Sequence, residues 1–213
     1  MVVSNGTFNE QIESLIKEYP NFQMKTDLEY PYLKGILDIP DDEGIVAGSF
    51  SVEIHPTSDF PNAFPILYEV GGEIPCEVDW HKYPDSSCCL TVRAKEKLMC
   101  KNGITLVWFV QNMAIPYFAN QLCRKQTGSY LHEYSHGAKG IWEFYKELFH
   151  SQNPEIWKRC LDNTFSNGKN KRNVQCYCNS GKKYKKCHMP IENDVAKIGK
   201  EQIIKDFKIM RLI

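Results

Sequence analysis

The stretch CYCNSGKKYKKCH, from Cys176 to His188, brings three thiols and an imidazole into a short length of chain. Cys176, Cys178, Cys187 and His188 are the donor set of a closed tetrahedral zinc site, in which every position is a protein ligand. Eight residues separate Cys178 from Cys187, enough to turn through Asn179-Ser180-Gly181 and bring both pairs to one ion. Lys182, Lys183, Lys185 and Lys186 offset the negative charge of a three-thiolate centre. A segment this small has no apolar core of its own, so metal binding would largely create its structure. The expected cofactor is one structural Zn2+ per chain. A second group of thiols, the vicinal pair Cys88 and Cys89 in SSCCLTV, has three chemistries open to it: a nucleophile, half of a metal site, or small core residues.

The segment from Cys176 to His188, with SGKKYK inside it, resembles the SEC-C motif, the short zinc-binding tail first associated with the bacterial SecA ATPase. The lysines of this tail carry two readings. They neutralise the cluster and keep it soluble, or they bind nucleic acid or an acidic protein surface.

The elements that must position these groups are legible in the apolar pattern. Asn5 to Glu18 reads as an opening helix with Phe8, Ile12, Leu15 and Ile16 at helical spacing. Three strand-like stretches follow, YLKGILDIP, IVAGSFSVEIHP and PILYEVGGEIP, separated by the turn DDEG and by TSDFPNAFP. Alternation places Phe50, Val52 and Ile54 on one face, as a half-buried antiparallel strand requires. Residues 76 to 102 read as irregular. GITLVWFVQNMAIPYFANQLCRKQ is apolar and of helical length; Pro116 inside it breaks it, kinks it or starts a second helix. KGIWEFYKELF is an amphipathic helix with Ile141, Phe144, Tyr145 and Leu148 on one face. The expected fold class is α+β, an antiparallel meander flanked by helices with a small zinc module behind it. The expected boundaries are a first domain at 1–162, a linker at 163–173, the zinc motif at 174–190 and a terminal helix at 191–213.

The order of helix, meander, Cys-Leu segment and helices resembles the ubiquitin-conjugating (UBC) fold. DFPNAFPILYEV is similar to that family's Tyr-Pro, Pro-Pro, strand signature. HKYPDSSCCL, from His81 to Leu90, is similar to its active-site strand, where a His precedes a Cys-Leu pair. With LTV following the double cysteine, the chain most resembles the stand-alone conjugating enzymes of bacterial CBASS antiphage operons. The resemblance implies an acyltransferase in which Cys89, directly before Leu90, forms a thioester with the C-terminus of a partner. That partner would be a cyclic-nucleotide synthase of the same operon. Cys88 becomes a bystander, and His81 is either a catalytic or a hydrogen-bonding structural histidine. The family's Asn two positions after its His is absent, since Lys82 and Tyr83 follow His81; Tyr83, Ser86 and Ser87 are the alternative donors, with His81 itself. The competing expectation is a catalytically silent UBC- or RWD-like binding module.

Chemistry alone permits the transfer. It needs an accessible thiolate and donors for a developing oxyanion, and Lys82, Lys95 and Lys97 are the nearby cations in sequence. Cys100 reads as a helix-entry residue. HEYSH, from His132 to His136, fits the pattern of zinc proteases, but Gly128 and Gly137 bracket a short polar stretch rather than a long helix.

Nine cysteines without an accompanying signal pattern point to metal ligands, nucleophiles and core thiols in a reducing compartment. Met1 to Glu10 lacks the basic-then-apolar pattern of a signal peptide, and no run approaches the roughly 18 to 20 apolar residues of a membrane span. The chain is therefore expected in the cytoplasm, without a membrane partner. The net charge of zero conceals an asymmetry: from Lys171 onward eleven Lys and Arg face four Asp and Glu, and the preceding residues carry the opposite excess. Two units with different partners are expected.

Overall fold

The computed structural model of the chain describes residues 7–131, 134–166 and 172–213. These hold the strands β1 (Phe22–Lys25), β2 (Tyr32–Pro40), β3 (Val46–His55) and β4 (Ile66–Glu69). The helices are α1 (Phe8–Glu18), α2 (Arg93–Met99), α3 (Leu106–Phe109), α4 (Ile115–Thr127), α5 (Gly137–Phe149), α6 (Pro154–Phe165), α7 (His188–Ile198) and α8 (Lys200–Ile209). No described helix is long and apolar enough to cross a membrane. The fold is α+β, and the chain divides into two compact units, Met1–Thr91 with Met99–Glu133 and Val92–Leu98 with Tyr134–Ile213.

In the first unit, α1 starts at a capping box, with Glu10 Oε2 accepting from the Thr7 backbone N–H at 2.5 Å. Phe8, Ile12 and Leu15 form its buried stripe. The sheet is an antiparallel meander in the order β1-β2-β3-β4. Its register sets Leu33 opposite Ile54, Leu37 opposite Phe50, and Ile54 opposite Leu67. These rows share one face because the side-chain period of a strand is two, and they are fully buried beneath α1 and the long apolar helix. Phe50 stacks on Phe118 at 4.4 Å.

In this unit one feature differs from the sequence expectation. The sheet has a further strand, β1, which pairs Phe22 with Gly35 and Lys25 with Tyr32. At four residues, with only Phe22 buried, it carries no alternation to read. The apolar stretch around Pro116 follows a course its proline implied: α3 passes through a π turn at Val110–Ala114 into α4, which carries Pro116 in its first turn, and the Ile115 N–H bonds the Val110 carbonyl. The wider turn accommodates a residue that has no N–H and a bulky ring.

The second unit is helical. Phe144, Tyr145, Phe149, Trp157, Val195, Ile198, Ile203 and Phe207 make its core. Trp157 is fully buried, stacks on Phe149 at 5.5 Å and donates its indole N–H to the Ser151 carbonyl at 3.0 Å. The Tyr145 hydroxyl donates to Asp206 at 2.9 Å, so this buried carboxylate is satisfied from within the core. Arg93–Met99, expected to be irregular, forms α2 and buries Ala94 in this same core. Seven residues are too few to show a helical period, and packing against residues far along the chain supplies the stability. α6 continues to Phe165, inside the stretch expected as linker, because Phe165 packs on the core; residues 167–171 of that stretch lie outside the described residues. The terminal segment is two helices rather than one. Gly199, at φ +88°, divides α7 from α8 in a conformation that L side chains avoid.

Candidate metal centre and thiol site

The metal centre is built from a tight turn and a helix start. Gln175 and Lys183 form an antiparallel bridge, and the Cys176 N–H donates to the Lys182 carbonyl at 2.8 Å. The intervening turn needs left-handed backbone at Asn179 (φ +58°) and Gly181 (φ +74°), a conformation that Asn and Gly adopt at least cost. A 3-10 turn at Tyr184–Lys186 then delivers Cys187, and α7 opens at His188.

The four donor atoms lie within 4.8 Å of one another. Cys176 Sγ is 3.3 Å from His188 Nδ1, Cys187 Sγ is 3.4 Å from the same nitrogen, and Cys178 Sγ is 3.5 Å from Cys187 Sγ. A tetrahedron with Zn–S near 2.3 Å and Zn–N near 2.0 Å has donor–donor edges of about 3.5 to 3.8 Å. The donor set and its spacing therefore fit a tetrahedral zinc ion with His188 bound through Nδ1. Burial holds the His188 imidazole below its ordinary pKa, which favours the neutral ring that a metal requires. At Cys178 burial pushes the thiol up, but hydrogen bonds from the Ser180 hydroxyl and amide, together with those from Cys187 and Cys176, outweigh it and leave the pKa lowered. Bound there, zinc would supply cross-linking between the turn and α7 rather than an open coordination position. Lys182, Lys183 and Lys186 are exposed around it.

The thiol site lies in the first unit, on a hairpin that borders β4. The Cys88 N–H donates to the Leu67 carbonyl at 2.8 Å and the Glu69 N–H to the Ser86 carbonyl at 3.1 Å. Pro84, Asp85 and Ser86 form the tip: the Tyr83 and Ser87 backbones pair at 2.8 Å, and Ser86 takes φ +70°. Asp85 Oδ1 accepts from the Ser87 N–H at 3.0 Å and hydroxyl at 2.6 Å. These bonds hold the Asp85 carboxyl below its ordinary pKa.

The two cysteines face different surroundings. Cys88 packs against the core, and burial pushes its thiol up to about 12. Cys89 is half-exposed, its N–H donating to the His81 carbonyl at 2.8 Å. Its Sγ lies within 4.8 Å of a ring nitrogen of His81. The Tyr83 hydroxyl hydrogen-bonds Cys89, and that bond, with burial, pushes the phenol up to about 12. A phenol is protonated at neutral pH and so is able to donate to this sulfur. His81, Tyr83 and Cys89 thus converge, while Ser86 and Ser87 are engaged elsewhere: the Ser86 hydroxyl lies 3.7 Å from Cys76 Sγ, and Ser87 is bonded to Asp85.

Position is enforced from below and behind. Lys82 is fully buried and donates to Glu69 and to the Ile74 carbonyl at 3.0 Å. Its ammonium is therefore committed to Glu69, not available to the Cys89 sulfur as its place in the sequence implied. On the other side, α4 grips the turn that precedes the hairpin. Tyr117 donates to the His81 carbonyl at 3.0 Å, Gln121 to that of Trp80 at 3.0 Å, and Arg124 to that of Asp79. Arg124 also stands 4.1 Å over the Trp80 ring. The sequence reading missed this polar row. Its signal is the i, i+4, i+7 spacing of Tyr117, Gln121 and Arg124, which sets them along one face of the helix.

Lys95 stands 4.6 Å over the Tyr134 ring in the second unit, which also contains Lys97. Cys100 is fully buried. His136 precedes α5, whereas His132 and Glu133 of HEYSH lie outside the described residues.

No curated protein matches the chain, and no solved structure matches it. Residues 172–190, which contain all four donors of the metal centre, match the SEC-C motif.

Proposed function

We propose that this chain is a ubiquitin-conjugating-like acyl carrier. Cys89 receives the C-terminal carbonyl of a partner protein as a thioester and passes it to a nucleophile. The observation that carries this reading is the convergence of Tyr83 and His81 on Cys89, whereas the adjacent Cys88 packs against the core. In the first step the Cys89 thiolate attacks an incoming thioester; its C–S bond forms as the donor's breaks, and the donor leaves as a thiolate. In the second step an amine attacks the Cys89 thioester. The C–N bond forms, Cys89 departs as a thiolate that accepts the Tyr83 hydrogen bond, and the amine's surplus proton passes to the His81 ring. A bonded donor of this kind is worth most where charge develops. The α+β order of α1, four antiparallel strands, thiol hairpin and helix supports the UBC-like reading, and the SEC-C tail accompanies it as a zinc-stabilised module. The partner class we assign is a nucleotide-cyclising synthase of an antiphage operon.

The test is co-expression with such a synthase and intact mass spectrometry before and after a thiol reductant. The wild-type chain should carry a thiol-labile adduct, Cys89→Ser an ester that resists thiols, and Cys89→Ala none. An adduct that persists in Cys89→Ala refutes the assignment. Iodoacetamide labelling of the native chain supplies the second arm: a Cys89 that stays unmodified makes the first unit a silent binding module.

A further inference from the structure

Three segments supply the metal ligands: the Cys176–Cys178 turn, the Tyr184–Lys186 turn ahead of Cys187, and α7, which begins at His188. A single buried side chain ties all three. Glu192 stands one helical turn after His188 on α7 and is 7% exposed. Its Oε1 accepts the Tyr177 hydroxyl at 3.0 Å, and its Oε2 accepts the Tyr184 hydroxyl. Tyr177 sits between the first two cysteines and lies with its ring 4.7 Å from that of His188. Arg159 covers the outer side of the same tyrosine, 5.2 Å from the ring, and donates to its carbonyl at 3.4 Å.

We propose that Glu192 is a positioning residue of the metal centre, holding Tyr177 and Tyr184 so that Cys176, Cys178 and Cys187 are ordered against His188 before zinc binds. The physical reason is the cost of leaving phenolic hydroxyls unpaired in the interior. Both carboxylate oxygens are used, so neither ring can rotate away without losing its partner. A preordered ligand set gives up less conformational freedom on binding, and supporting groups of this sort govern metal affinity. Glu192 lies beyond residues 172–190, so the SEC-C match does not cover it.

The inference rests on the zinc reading of the four donors, and the experiment separates the two. The full chain, Glu192→Leu, Glu192→Gln and Tyr177→Phe are compared by Zn2+ competition against a chromophoric chelator and by Co2+ absorption. Removing the carboxylate in Glu192→Leu should weaken zinc binding by about ten- to a hundredfold. Glu192→Gln retains one acceptor and offers an amide N–H to the other tyrosine oxygen, so it should recover most of that loss. Tyr177→Phe should weaken binding by less than Glu192→Leu. All variants that bind should keep the thiolate-to-cobalt band of a tetrahedral three-thiolate site, because the ligands themselves are unchanged. Unaltered zinc affinity in a folded Glu192→Leu chain overturns the proposal, even where its thermal stability falls. If Glu192→Leu does not fold, wild-type affinity in both Glu192→Gln and Tyr177→Phe overturns it. A wild-type chain that shows no thiolate-to-cobalt band defeats the zinc reading itself, and this inference with it.

Discussion

The buried ion pair beneath the thiol hairpin yields the most demanding prediction. Lys82 and Glu69 have side chains 1% and 0% exposed. Glu69 also accepts the Glu73 and Ile74 N–H groups at 3.2 and 3.4 Å, and Lys82 reaches the Ile74 carbonyl. The carboxylate has no water to fall back on. Lys82→Met keeps the apolar stem but removes the ammonium, leaving a buried charge with only two long amide bonds. Breaking a buried pair in this way costs about 3 to 5 kcal/mol, which is about two to four orders of magnitude in an opening equilibrium. Replacing both partners, in Lys82→Met with Glu69→Leu, should restore most of that, since an apolar pair of similar volume needs no counter-charge. The assay is native-state thiol labelling of Cys100, which is fully buried in the same unit, so its reaction reports opening of that core. The single variant should label Cys100 at least a hundredfold faster, and the double variant within about tenfold of wild type. A single variant that labels at the wild-type rate would refute the reasoning, as would a double variant no better than the single.

Two more predictions concern the turn and the tail. The Asp85 carboxyl is held below its ordinary value by Ser87, so its support of the turn is complete above the unfolded pKa of about 3.9 and is lost as pH falls through the lower folded value. Hydrogen exchange at the Ser87 amide should accelerate in that acid window, whereas Asp85→Ala should be faster by about two- to tenfold already at pH 6 and lack the acid step. In the tail, a structural zinc ion would contribute roughly 10 to 16 kcal/mol, comparable with the stability of a whole domain. A strong chelator should therefore open Lys182, Lys183, Lys185 and Lys186 to trypsin, and added Zn2+ should close them; a cleavage pattern indifferent to both would count against the centre.

How far the sequence reaches depends on how local the determining contacts are. The four metal donors lie within one turn and one helix start, and residue type and spacing bring them together with little help from elsewhere. Glu192 was legible only in part. Its spacing from His188 marks the same helix face, but its hold on Tyr177 and Tyr184 depends on burial. β2 and β3 were readable because long half-buried strands alternate; β1 was not, because four residues and one inward Phe22 set no period. The partition of the helices was hidden for a related reason. Ala94 joins a core whose other members begin at Phe144, and no local pattern announces such a partner.

The thiol hairpin shows the division most clearly. The resemblance of HKYPDSSCCL to the UBC active-site strand marked Cys89 over Cys88 through Leu90 and His81, and left Tyr83 among the alternative donors. Sequence adjacency also nominated Lys82 as a support for the thiolate, and there the tertiary structure decided otherwise. Glu69 is sealed in the core by β4 and requires a counter-ion, so it draws the ammonium inward, while Tyr83 on the exposed side of the hairpin is left to face Cys89. Residue types and short spacings determine which atoms are chemically able to bind or react. Burial, which is settled only when distant segments pack, determines which of them are still available to do so.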